Sequence, residues 1–144
     1  MSGVRAKNGK VFITDVNGTV REITTFVDNV SHSLEEERLD DTRYGNAYKA
    51  STGGFIGWSG TITGKWESGG TTTPDKWFYD LITEAAGTVT STLTYFPAGS
   101  ASGLPYWAGT VGYSKYGTDG PYDNLVTWSA EFELATGGVT RGTV

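Results

Sequence analysis

The sequence has no cysteine, one histidine (His32) and one methionine. Without thiols it has no disulfide, no thiolate nucleophile and no zinc–thiolate site. A lone histidine cannot build the usual multi-His or His/Cys metal centre. His32 lies in NVSHSLEEE without a Ser–His–Asp pattern, and reads as a strand or surface residue with no chemical role. There is no nucleotide-binding glycine motif and no credible base–nucleophile pair, so neither an enzyme nor a cofactor is expected. Glu67, Glu131 and Glu133 fall in strand-like stretches, where solvent-facing carboxylates are routine, rather than forming a glycosidase pair. The apolar runs are too short for a transmembrane helix, so no membrane insertion is expected. The opening MSGVRAKNGKV has charges but no apolar core behind them, so no signal peptide is expected and the chain reads as a soluble product made inside the cell. Basic residues are also scarce: 11 against 16 acidic ones, a net charge of −5. That excludes a broad basic face gripping phosphates and suits a surface that nucleic acid slides past.

What is abundant is glycine and aromatics: 21 Gly, 8 Tyr and 5 Trp in 144 residues. The length suits one domain, 1–144, with a real core, and the composition points to a mainly β domain with many turns. The clearest strand is 122–135, YDNLVTWSAEFELA. It places Val126, Trp128, Ala130, Phe132 and Leu134 on one face and Thr127, Ser129, Glu131 and Glu133 on the other. A first strand, 10–16, sets Val11 and Ile13 on one face. Asn17-Gly18 then predicts a type I′ hairpin turn. The return strand, 19–30, does not alternate cleanly, which places a bulge or break near Thr24-Thr25. In 54–67, Ile56, Trp58, Ile62 and Trp66 share a face, with Gly60 and Gly64 leaving room for side chains from a facing sheet. Further strands are predicted at 88–96 and 106–116.

One helix is expected, over about 74–86. Thr73 is its N-cap, Pro74 its first residue, Asp75 a carboxylate at the positive end, and Gly87 its C′ residue. Trp77, Phe78, Leu81, Ile82 and Ala85 form its apolar stripe, which should lie across an open end or face of the sheets. The expected core is therefore Ile56, Trp58, Ile62, Trp66, Trp77, Leu81, Val126, Trp128, Phe132 and Leu134.

Residues 34–52 break the pattern. Residues 34–43 hold five carboxylates and two arginines, and only Leu34 and Leu39 are apolar. No calcium-loop spacing is present, since Arg38 and Arg43 interrupt the acids. The segment reads as a long charged loop, which in a compact domain needs a job. Its mixed signs suit docking onto a neighbouring subunit, with Glu35, Glu36, Glu37, Arg38, Asp40, Asp41, Arg43, Tyr44 and Tyr48 as candidate contacts. Residues 1–9 read as a flexible arm and 136–144 as a second one, although 138–144 could instead add an edge strand. Tyr106, Trp107, Tyr113, Tyr116 and Tyr122 gather around GTDGP and could stack on sugars or bases. Cross-strand packing is the simpler account.

The ordered set of features resembles the tail tube (major tail) proteins of long-tailed bacteriophages. DVNGTVREIT (15–24) is similar to the family's opening strand pair, and EFELATGGVTRGT (131–143) to its closing strand and arm. The resemblance spans roughly residues 10–143. It implies a two-sheet antiparallel β-sandwich or barrel with one flanking helix. Six copies would form a ring and rings would stack into a hollow tube that conducts viral DNA. Tape-measure and tail-tip or terminator proteins would be partners. The location would be the virion tail, after synthesis in the bacterial host cytoplasm. Two other readings stay open: another β-sandwich virion component (capsid decoration, tail terminator or baseplate protein), and a carbohydrate-binding module using Tyr106, Trp107, Tyr113 and Tyr122.

Overall fold

The computed structural model describes residues 6–45, 47–67, 73–83 and 90–144. The elements run β1 (Lys10–Thr14), β2 (Val20–Glu22), β3 (Val27–Asp40), β4 (Ser51–Lys65), α1 (Pro74–Thr83), β5 (Ser91–Phe96), β6 (Pro105–Asp119) and β7 (Thr127–Thr143). Short 3-10 turns occupy Ala6–Asn8 and Thr24–Phe26. The second is the break expected near Thr24-Thr25.

The strands form one antiparallel sheet in the order β2-β1-β5-β6-β7-β4-β3, not the two sheets of a sandwich. Strand length is the reason. β6 and β7 have 15 and 17 residues, far longer than the usual five or six, and pair along their whole length from Pro105↔Thr143 to Asp119↔Thr127. β5 pairs with β6 only through Trp107–Val111, and β4 with β7 only through Thr127–Glu133. The two halves thus hang from opposite ends of one long ribbon, whose register shifts near Thr110 and Tyr113 let it bend. The sheet folds over on itself. Gly109 of β6 approaches Trp58 of β4 so closely that a Cβ there would sit 3.2 Å from the indole.

Residues 136–143, expected as an arm, continue β7 and are paired with β6. Nearly half of the expected 34–52 loop is strand: residues 34–40 belong to β3 and 51–52 to β4, leaving 41–50 as the connection. Of the N-terminal arm, residues 1–5 lie outside the described residues. So do helix positions 84–86, the Gly87 cap, and the start of the strand expected from 88.

The β1–β2 connection is Asp15–Thr19; the Asp15 N–H donates to the Thr19 carbonyl (2.9 Å) and encloses a three-residue loop, Val16–Gly18, rather than a two-residue type I′ turn. Gly18 takes φ +80° and donates its N–H to the Asp15 carbonyl (3.0 Å). The cause is Asp15, whose buried carboxylate accepts the N–H groups of Asn17 (3.0 Å) and Thr19 (2.9 Å) and the Arg21 guanidinium (3.0 Å). Burial alone would raise its pKa; these donors outweigh it and hold the carboxyl below its ordinary value.

The core joins Val11, Ile13, Ile23, Trp58, Ile62, Leu93, Val111, Trp128, Ala130 and Phe132 from the sheet to Trp77, Phe78 and Leu81 of α1. Phe78 meets Tyr113, Tyr116 and Trp128 at 4.8–5.4 Å between ring centres. Tyr116 donates to Asp75 (2.8 Å), pinning the first turn of the helix to β6. The Arg21 guanidinium lies over the Trp77 ring at 5.3 Å. Of the expected core residues, Trp66 and Leu134 are half-buried against the cluster, while Ile56 and Val126 are exposed. Val126 falls in the turn before β7, where its carbonyl accepts the Trp66 N–H (2.9 Å), so the alternation of β7 begins only at Trp128.

Candidate assembly surface

β4 has two strand neighbours only over Ser59–Gly64. Beyond Trp58 its sole partner is β3, and the two leave the body as a two-stranded ribbon. The pairs Leu34↔Trp58, Glu35↔Gly57, Glu36↔Ile56 and Arg38↔Gly53 continue to Asp40↔Ser51, with a bulge after Glu36. Every residue of 33–40 and 51–57 is exposed. This explains why Ile56 is not core: it lies on the same strand face as Trp58 but past the last strand that could cover it. Leu34 and Ile56 extend the buried stripe Ile62–Trp58 into solvent, and Phe55, 87% exposed, stands on the opposite face.

The ribbon is internally tied. Arg38 pairs with Glu36 and donates to the Ser51 carbonyl (3.1 Å) and hydroxyl. The two glycines opposite, Gly53 and Gly54, leave space that the Glu36 and Glu37 carboxylates occupy. In the connection, Asp41 N–H reaches the Ala50 carbonyl (2.9 Å), and Ala50 N–H reaches Thr42 Oγ1 (2.9 Å). Asp40 accepts the Thr42 N–H, which lowers its pKa. Tyr44 and Tyr48 project from this tip almost fully exposed, beside Arg43. The nine candidate contacts thus sit together on the ribbon and its tip, but on a structured hairpin. Glu35 and Glu37 face away from Glu36, and no group of three metal-ligating side chains forms among the described residues.

Two further surfaces stand out. β3 is a sheet edge of 14 residues with β4 on one side only among the described residues. A long unpaired edge is a template for another chain. The outer face of β4, β7 and β6 is polar: Ser59, Thr61 and Thr63 lie beside Glu133, Glu131 and Ser129, and Glu131 is in register with Lys115. The aromatics once grouped around GTDGP are dispersed: Tyr113 and Tyr116 pack on α1, Tyr106 on Phe96, Trp107 on His32, and Tyr122 stands alone in solvent. They do not make a sugar platform.

No family model matches the sequence, and no curated protein matches it. Solved structures do. A chain of the tail of an empty gene transfer agent particle, refined with C6 symmetry, superposes with TM-score 0.77 at 12% identity, covering 98% of this chain and 100% of that one. The SPP1 tail tube gives 0.76 at 10% identity, covering 99% and 80%. This chain has the tail-tube fold. A chain of the sheath–tube complex of an extracellular contractile injection system matches the same fold with TM-score 0.70 at 14% identity, covering 99% and 93%. With identities this low, the shared feature is the path of the backbone.

The residues that sequence reasoning missed on this surface are Leu34 and Phe55. Leu34 was legible in principle, because Val30-His32-Leu34 alternates with Ser31 and Ser33 across the point where the charged run begins.

Proposed function

We propose that this chain is a structural subunit of a phage-type tail tube: six copies close into a ring, and rings stack into a hollow conduit for viral DNA. The observation that carries this reading is the end-to-end likeness to a tail subunit assembled with C6 symmetry. Three features of the chain support it. The unpaired β3 edge can be satisfied by a strand of the next copy, closing an inner barrel without free edges. The Ser/Thr face with Glu131 and Glu133 suits a lumen wall, since it offers DNA no cluster of cations. The projecting β3–β4 ribbon, with its bare Leu34, Ile56 and tip tyrosines, suits a contact with a neighbouring subunit or ring, and its charges would set register. Tape-measure and tip or terminator proteins belong to this reading as partners, the virion tail as its location and the bacterial cytoplasm as the place of synthesis.

Negative-stain electron microscopy of the purified protein over a concentration series tests it. Hollow tubes with a regular axial repeat are expected, with or without an added tip complex. A protein that binds capsids or glycans and never forms rings or tubes would overturn it. A second reading, a ring that ends a tube, is favoured by the likeness to a chain in the tube-terminating cap of the anti-feeding prophage (TM-score 0.70, 11% identity, covering 100% and 93%). It predicts single rings that never elongate.

A further inference from the structure

His32 stands where the ribbon leaves the body. Its Nδ1 accepts the indole N–H of Trp58 (3.1 Å), the last buried residue of β4 before the exposed run 51–57. Its half-buried ring is flanked by Trp58, Tyr95 of β5 and Trp107 of β6, with centroids at 6.1, 5.5 and 5.0 Å. Three strands from both halves of the folded sheet therefore converge on one imidazole, and its direct strand partner Gly60 has no side chain to shield it. An indole N–H is a donor only. The hydrogen bond therefore exists only while Nδ1 is bare, and a proton there sets two donors against each other.

We propose that His32 is a protonation-sensitive latch at the base of the β3–β4 ribbon: neutral, it locks Trp58 and the ribbon to the body; protonated, it releases them. Among the described residues, no anionic side chain packed around it pairs with the charge. Tyr95 is the titratable group on β5, and burial pushes its hydroxyl up, so it stays neutral. Trp107 contributes no charge from β6, and its register partner on β7, Arg141, is a cation and offers the imidazolium no counter-ion. On its own strand, Asp28 is engaged by Lys65 (2.9 Å) and Glu36 by Arg38. Among the described residues, no carboxylate bonds to the imidazole. Burial lowers the His32 pKa from its ordinary 6.5. The sign follows: a closed ribbon disfavours the proton and an open one accepts it with the ordinary affinity. Closure is fully stabilised above about pH 6.5 and weakens as pH falls below that value.

Because His32 is the only histidine, its titration can be followed in the wild-type protein by NMR without substitutions. The expected result is a midpoint below 6.5. The Trp58 indole N–H resonance should shift on the same curve, and amide protection at 33–39 and 52–57 should be lost while 127–133 keeps its own. His32→Gln keeps an acceptor without a titrating proton and should leave the ribbon protected down to pH 5. An indole resonance that does not move through the His32 transition would overturn the latch. So would a His32→Gln protein that opens with the wild-type pH dependence. The measurement is made on dilute subunits and does not depend on tube formation.

Discussion

Gly64→Ala should be among the most damaging single-methyl additions in this chain, and the structure says why. A Cβ on Gly64 would fall on the Phe26 carbonyl oxygen, 2.8 Å from its carbon and 3.0 Å from the Trp128 indole nitrogen. The obstacle is backbone, so no rotamer change relieves it. Nor can Phe26 retreat freely: its N–H is bonded to the Ile23 carbonyl (3.0 Å), and the N–H of fully buried Ile23 is bonded to Val11 (3.0 Å). Making room means prising the 3-10 turn and the start of β3 away from β1. Overpacking of a well-filled site costs about 1–3 kcal/mol, and a clash with tethered backbone belongs at the top of that range. For a domain of this size, about 3 kcal/mol corresponds to a fall of roughly 6–12 °C in Tm.

Gly57→Ala is the matched control. Gly57 is on the same strand, but it is exposed and a Cβ would meet nothing within 4 Å. Removing a strand glycine there should be neutral or stabilising by up to about 0.5–1 kcal/mol, from the smaller entropy of the unfolded chain. Urea unfolding followed by tryptophan fluorescence, on dilute subunits, compares the two midpoints directly. A Gly64→Ala midpoint equal to that of wild type, or equal losses at both positions, would refute the placement of Phe26 over β4.

Trp128→Ala should cost about 3–5 kcal/mol as a buried aromatic, and Trp128→Phe much less, chiefly the indole bond to the Lys65 carbonyl (3.1 Å); the same urea series reads both. Replacing Glu36–Ile56 by a two-residue Asn-Gly turn should leave a folded monomer, because Leu34↔Trp58 and everything below it are kept, yet abolish tubes in the microscope. Tubes of normal repeat from that variant would remove the ribbon from the assembly contacts. Asp15→Asn should destabilise at neutral pH by about 1–3 kcal/mol. The folded Asp15 pKa is lowered, so its contribution is present above the unfolded value of about 3.8 and is lost as pH falls through the folded one. The gap between wild type and Asp15→Asn should therefore close in acid, as read by unfolding between pH 7 and 3.

The strands that carry one dry and one wet face were legible. Val11 and Ile13, Trp58 and Ile62, and Trp128, Ala130 and Phe132 alternate in the sequence and are buried in the fold. The helix was legible from Pro74 and its apolar stripe. The single sheet was not, because nothing in a sequence records that β6 and β7 pair past the ends of their other neighbours. The first turn failed on a side chain: Asn17-Gly18 reads as a two-residue loop until the Asp15 carboxylate takes the N–H groups that would define it. The packing of His32 was not legible, because its partners Trp58, Tyr95 and Trp107 come from three other strands.

The ribbon is the most instructive miss. Period-two patterning appears only where one face of a strand is buried and the other is wet. In the isolated subunit both faces of 33–40 and 51–57 are wet, so selection within one chain imposes no alternation, and the charged run reads as a loop. Yet the segment is not neutral to partners. Leu34 and Ile56 prolong the inner stripe where no strand of the same chain covers them. The two glycines opposite Glu36 and Glu37 make space for carboxylates that could have pointed freely into water. A two-stranded ribbon is marginal on its own, and this one extends some seven residues past its last support. In the tube proposed above, a neighbouring subunit would complete this ribbon and cover its bare apolar residues. On that proposal, the pattern missing from the sequence is the pattern of an interface, which one chain by itself does not contain.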